Sequence, residues 1–90
     1  MKKIFESQIK EIIIKLPTHE EIFNGCLALI EAEHLPIEEV FSEIVKNASN
    51  NDDLQFDAFN FFREYLPTGY NTNKMKSQLS DEVQLRIDLQ

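Results

Sequence analysis

The sequence predicts an all-α fold, a small bundle of four to five helices with a C-terminal tail that is either extended or helical. Three observations predict it. Apolar residues recur three and four apart through four consecutive segments, as they do on helices with one buried stripe. Pro17, Pro36 and Pro67 stand at the joints between those segments. Strand-like alternation is confined to the last eight residues, where it would find no partner strand inside the molecule.

The first segment carries Phe5, Ile9, Ile12, Ile13 and Leu16 on one stripe. Glu11 and Lys15 form an i,i+4 pair in the favourable order, and Pro17 stops the helix. Thr18 followed by Glu21 is a capping box, with Pro17 and Ile22 placed to staple it. The second helix then carries Ile22, Phe23, Cys26, Leu27, Leu29 and Ile30. It ends near His34, because the residue before Pro36 is pushed out of helical conformation. Pro36 suits the first turn of a third helix, with Glu38 and Glu39 near its positive end. Ile37, Val40, Phe41, Ile44, Val45 and Ala48 form that helix's apolar stripe.

Asn47 to Asp53 make a polar loop, and Asn51 or Asp52 caps a fourth helix running to about Leu66. Its Leu54, Phe56, Ala58, Phe59, Phe61, Phe62, Tyr65 and Leu66 are more than one stripe holds. The helix is therefore either central to the core or partly exposed for a partner. Pro67-Thr68-Gly69 ends it. A helix is expected over roughly residues 72 to 82. Beyond it the pattern supports two readings. Val83, Leu85, Ile87 and Leu89 alternate with polar residues, as in a strand. Met75, Leu79, Val83 and Ile87 are spaced by four, as in a helix. The chain thus divides into an acidic helical domain, 1–82, and a C-terminal tail or strand-like peptide, 83–90.

Ninety residues make one domain, which buries only roughly 60–65% of its unfolded surface. Lys and Arg number 9 against 16 Asp and Glu, for a net charge of -7. That excludes a general binder of nucleic acid or anionic membrane, which needs basic surface. The charge has an address. Residues 1–15 sum to +2, residues 16–62 to -9, and residues 63–90 balance. Such a middle is either a solvated face or a docking surface for a basic partner. One cysteine excludes an intrachain disulfide framework. No membrane span or signal peptide is expected, which suggests a cytoplasmic protein.

Motifs of catalysis are missing. Cys26 lies on an apolar stripe and reads as a small buried hydrophobe. His19 and His34 fall at opposite ends of one helix, too far apart to share a metal. There is no phosphate loop or nucleophile elbow, and the glutamates are expected on exposed faces. No catalytic residue, cofactor or metal is expected. The second and third helices outline a helix-turn-helix, but its outer face offers Glu38, Glu39, Ser42 and Glu43 where a DNA reader needs Arg, Lys, Asn or Gln.

Two signals rise above this background. Gln84-Leu85-Arg86-Ile87-Asp88-Leu89 resembles the short peptides by which bacterial replication and repair proteins bind the sliding clamp, with Ile87 in place of the usual leucine. The stretch Thr18-His19-Glu20-Glu21-Ile22 to Cys26, with Ile30 to Val40, resembles the small late-transcription coactivators of T-even-type phages. The likeness covers about residues 9 to 62. The segment Phe56 to Leu66 is more aromatic than the family's, and residues 67–82 have no clear counterpart in it. The resemblance implies a body that binds the flap of the host RNA polymerase, a tail that binds the phage sliding clamp, and residence in a bacterial cytoplasm.

The resulting expectation is a non-enzymatic adaptor or regulator. Glu20, Glu21, Glu31, Glu38, Glu39 and Glu43 would face RNA polymerase, and Gln84, Leu85, Ile87 and Leu89 the clamp. A rival expectation is a small phage inhibitor or immunity protein that blocks a nucleic-acid-binding site by mimicking phosphate charge. A homodimer exchanging Phe59, Phe62 and the tail is a third. None involves direct contact with nucleic acid or membrane.

Overall fold

Apolar spacing of three and four closes each stripe into a helix face, and the faces meet in one core. The computed structural model describes residues 2–67 and 69–90. Among these, the elements are α1 (Lys2–Lys15), α2 (His19–Glu33), α3 (Ile37–Asn47), α4 (Asp52–Phe62), a 3₁₀ turn (Arg63–Tyr65), α5 (Asn73–Lys76) and α6 (Asp81–Asp88), with no strand among the described residues. The fold is all-α. Its radius of gyration of 12.4 Å matches the ~12 Å of a closely packed chain of this length.

The helix ends follow the local chemistry with small departures. Thr18 caps α2, its hydroxyl oxygen accepting from the Glu21 N–H at 3.2 Å. The hydroxyl itself donates to the Glu21 carboxylate at 2.9 Å, so the capping residues bond through their side chains. His34 ends α2 in the left-handed region at φ 55, and Leu35 donates back to the Ile30 carbonyl at 3.1 Å. That is how a helix normally recovers its last carbonyls, although glycine usually occupies the turn. Pro36 sits one position earlier than expected. Its extended backbone (ψ 134) makes it the N-cap of α3. Asn51, of the two candidates, caps α4 by accepting from the Leu54 N–H at 3.1 Å.

α4 is the central element, packed against α2, α3 and α6, while α1 lies across α2 and α3. Its surplus of aromatic residues serves the core. Phe62 meets Phe23 of α2 edge-on at 5.8 Å and Phe61 at 4.9 Å, and Phe59 meets Phe41 of α3 at 6.3 Å. Phe59 and Phe62, weighed above as surfaces exchanged in a dimer, are buried within one chain. The helical path continues through the 3₁₀ turn to Tyr65. Of the expected Pro67-Thr68-Gly69 stop, Thr68 lies outside the described residues. Tyr70 donates to the Pro67 carbonyl at 3.0 Å, and Gly69 takes the positive φ of 85 that a side chain resists.

One expectation for the C-terminus is overturned. The single helix over residues 72–82 is broken into α5 and α6 by a turn at residues 77–80, and Ser80 starts a new helix by accepting from the Val83 N–H at 3.3 Å. Of the two readings left open for the last residues, the helical one holds. Asp81–Asp88 is helical, and Val83 is completely buried in the common core. The period-two pattern is two period-four stripes superposed. Residues two apart on a helix point to opposite sides, so Val83 and Ile87 turn inward while Leu85 and Leu89 turn outward. The inward stripe continues the Met75 and Leu79 spacing, and burial of that row decides the conformation.

Candidate functional site

α3 carries its apolar stripe toward the core and its glutamates away from it. The glutamates do not fan out into solvent on all sides. Glu38, Glu39 and Glu43 border a depression of about 410 Å³ between α3, the start of α1 and the α5 region. Glu6 of α1 also lines the depression, as do the buried Phe5 and Met75. Ser42, Tyr70, Lys74 and Gln78 complete the lining. Among the described lining residues, Lys74 alone brings positive charge against the four carboxylates.

Tyr70 fixes one wall. Its hydroxyl donates to Glu38 Oε2 at 2.8 Å, tying the loop before α5 to the first turn of α3. The Glu38 carboxyl is held below the usual glutamate range, first by its own backbone N–H and then by the Tyr70 hydroxyl. The same bond raises the Tyr70 phenol above its usual value. Glu43 accepts from the Asn47 amide at 3.2 Å, one turn on. These bonds hold the Glu38 and Glu43 side chains in place, and those to Glu38 favour its ionised form. The chemistry available is attraction of a cation.

The expected acidic surface is thus divided. Glu38, Glu39 and Glu43 share the cleft. Glu20 and Glu21 lie in the first turn of α2, where they favour the helix dipole and, for Glu21, the cap. Glu31 is exposed in the last turn of α2, about 16 Å along the axis from Glu20. Neither end of α2 borders the cleft. Glu6 escaped notice in the sequence because it sits in a segment of net positive charge. Its i+3 relation to Ile9 was the available signal that it flanks the buried stripe.

The four tail residues are also divided. Gln84 turns back on the turn before α6, its side-chain amide donating to the Leu79 carbonyl at 2.9 Å. Ile87 packs half-buried against the core. Leu85 and Leu89, 59% and 76% exposed, form a small apolar pair on the outer face. The side chains of Gln84, Leu85, Ile87 and Leu89 therefore do not lie along one edge as the clamp-peptide resemblance requires.

Cys26 is buried, and burial pushes its thiol up to about 12. His19 Nδ1 pairs with Asp57 Oδ2 of α4 at 2.6 Å, and His34 serves as the α2 cap. Among the described residues no group of three His, Cys, Asp or Glu is placed to hold a metal, and no helix is long and apolar enough to cross a membrane. A second depression, a shallow apolar groove of about 600 Å³, runs between α1 and α2 over Ile12, Leu16, Ala28 and Ala32.

Compared with protein-family models, curated proteins and solved structures, the chain has no match.

Proposed function

We propose that the protein is a non-enzymatic adaptor that docks a protein partner through the acidic cleft on α3. One observation carries this reading: Glu6, Glu38, Glu39 and Glu43, from two helices, converge around the buried Phe5 and Met75. A face that served only solubility would need no convergence. The resemblance of residues 18–40 to phage late-transcription coactivators assigns the partner as the flap of RNA polymerase. The clamp half of that assignment requires residues 84–89 to leave their helix, since a groove-binding peptide is extended.

Surface-plasmon titration against immobilised bacterial RNA polymerase, and separately against a phage sliding clamp, tests both halves. Charge reversal with Glu39→Lys and Glu43→Lys should abolish polymerase binding. Leu85→Asp with Leu89→Asp should abolish clamp binding and leave polymerase binding unchanged. Polymerase binding that survives the reversal removes the cleft from the reading. Binding that DNA displaces and that follows total charge, whichever glutamates are reversed, points to the charge-mimicking inhibitor instead.

A further inference from the structure

We propose that the apolar groove between α1 and α2 is the interface of a homodimer, and that α1 of a second copy occupies it. The groove, about 600 Å³, is lined by Ile12 and Leu16 of α1 and by Gly25, Ala28, Leu29 and Ala32 of α2. Glycine at position 25 keeps it open beside α1. A methyl group there would stand 3.3 Å from Ile12 Cγ2 and 3.4 Å from Leu16 Cδ1. Ala28 and Ala32 are exposed, and their small side chains let another helix come close to α2. The knob that fits this hollow stands beside its rim. Ile14 of α1 is 72% exposed. It follows Glu11 by three residues and precedes Lys15, both of which line the groove, so it sits just outside the rim on the solvent side. Across a two-fold axis Ile14 enters the other copy's groove over Ala28, and the second copy's Ile14 enters in return.

Charge selects a second copy as the occupant. α1 carries four lysines against two glutamates, whereas α2 carries four glutamates and no lysine or arginine. An occupant of one sign of charge matches one of these helices and opposes the other. A second copy brings both signs. Laying its α1 on α2 sets net positive against net negative, and the two-fold repeats the match. Lys10 and Lys15 are exposed on α1, and Glu31 is exposed on α2 three residues after Ala28. The net charge of -7 opposes self-association, so a face carrying both signs is where two copies can meet. The groove is two short helices wide, which limits the buried area and places the dimer in the weak, micromolar class. No described residue lines both this groove and the depression on α3, so dimerisation leaves that surface open.

Sedimentation equilibrium of the full chain, from micromolar to millimolar concentration, reads the oligomeric state. A concentration-dependent dimer is expected. Ile14→Asp and Ala28→Phe, both at exposed positions, should each weaken it about tenfold or more, since every substitution acts twice in a two-fold interface. Leu85→Asp with Leu89→Asp, which removes the exposed pair on α6, should leave it unchanged. Mixed isotope-labelled and unlabelled chains should show NMR contacts between copies from the Ile14 methyls to Ala28. A strict monomer at millimolar concentration overturns the proposal. So does a dimer that survives Ile14→Asp, or one that Leu85→Asp with Leu89→Asp dissolves. A monomer in which Ile14→Asp abolishes polymerase binding also overturns it, and gives the groove to a foreign protein. Thermal unfolding of each variant checks that the fold persists.

Discussion

The side-chain carbonyl of Gln55, in the first turn of α4, accepts the backbone N–H of Ser80 at 2.9 Å. The amide of the same side chain donates to the Ala48 carbonyl at 2.8 Å, at the end of α3. Gln55 is the one buried polar residue among the described residues, and it joins three helix ends. Ser80 reinforces the joint by donating its hydroxyl to Asp52 at 2.9 Å. The start of α6 is thus set by α4 and α3 as much as by its own sequence.

Gln55→Leu preserves most of the volume and removes both bonds. It leaves the Ala48 carbonyl and the Ser80 N–H to find new partners in a dry site. The expected loss is about 2–4 kcal/mol, from one to two buried orphans. Urea unfolding measures it, and a loss under about 0.5 kcal/mol would show that water replaces the side chain.

α6 is held mainly by apolar burial. Arg86 lies over the Phe56 ring at 4.2 Å and bonds Asp53 at 3.0 Å, but Asp53 is mostly exposed. Arg86→Ala should cost below about 1 kcal/mol. Val83→Ala, at a completely buried position, should cost about 1.5–3 kcal/mol. Hydrogen exchange of residues 83–88 should accelerate far more in the Val83 variant. The reverse ranking would make the ion pair the real anchor.

His34 occupies left-handed backbone at φ 55. Glycine there should stabilise the protein by about 0.5–1 kcal/mol, since it removes the side chain's conflict with that turn. A lower melting temperature for His34→Gly would mean that the imidazole itself holds the α2 to α3 turn.

Cys26 has its thiol pushed up to about 12 by burial. The folded protein should therefore resist a thiol reagent at pH 8 and react fully after unfolding. The folded state favours the protonated thiol, so this contribution to stability is complete below an ordinary thiol pKa and is lost as pH rises toward 12. Fast labelling of the native chain at pH 8 would show that α2 opens locally.

Glu38 is held below its ordinary value, so its bonds stabilise the fold at neutral pH and are lost as pH falls through that lowered value. In Tyr70→Phe the Glu38 carboxyl should titrate higher, but it should not return fully to the ordinary value, because its own backbone N–H is the larger cause. Carboxyl-carbon NMR follows the midpoint. An unchanged midpoint would show that the hydroxyl contributes nothing.

The residues that made helices legible were those whose spacing is a local matter. The stripe from Val40 to Ala48, the Thr18 and Asn51 caps and the stops at Pro17 and Pro36 depend on neighbours within a turn, and each was visible in the chain. The end of the chain was not legible, because Val83, Leu85, Ile87 and Leu89 fit a strand and a helix equally well. Only contact with α4 could choose, by burying Val83 and Ile87 and leaving Leu85 and Leu89 outside. The candidate site followed the same division. The sequence alone determined an acidic helical body, with Glu38, Glu39 and Glu43 on the outer side of α3. The tertiary structure alone decided that Glu6 would join them, that Glu20, Glu21 and Glu31 would not, and that Phe5 and Met75 would line the same depression. Spacing along one helix is a short-range property of the chain, whereas a cleft is made where helices distant in sequence bury their faces against each other.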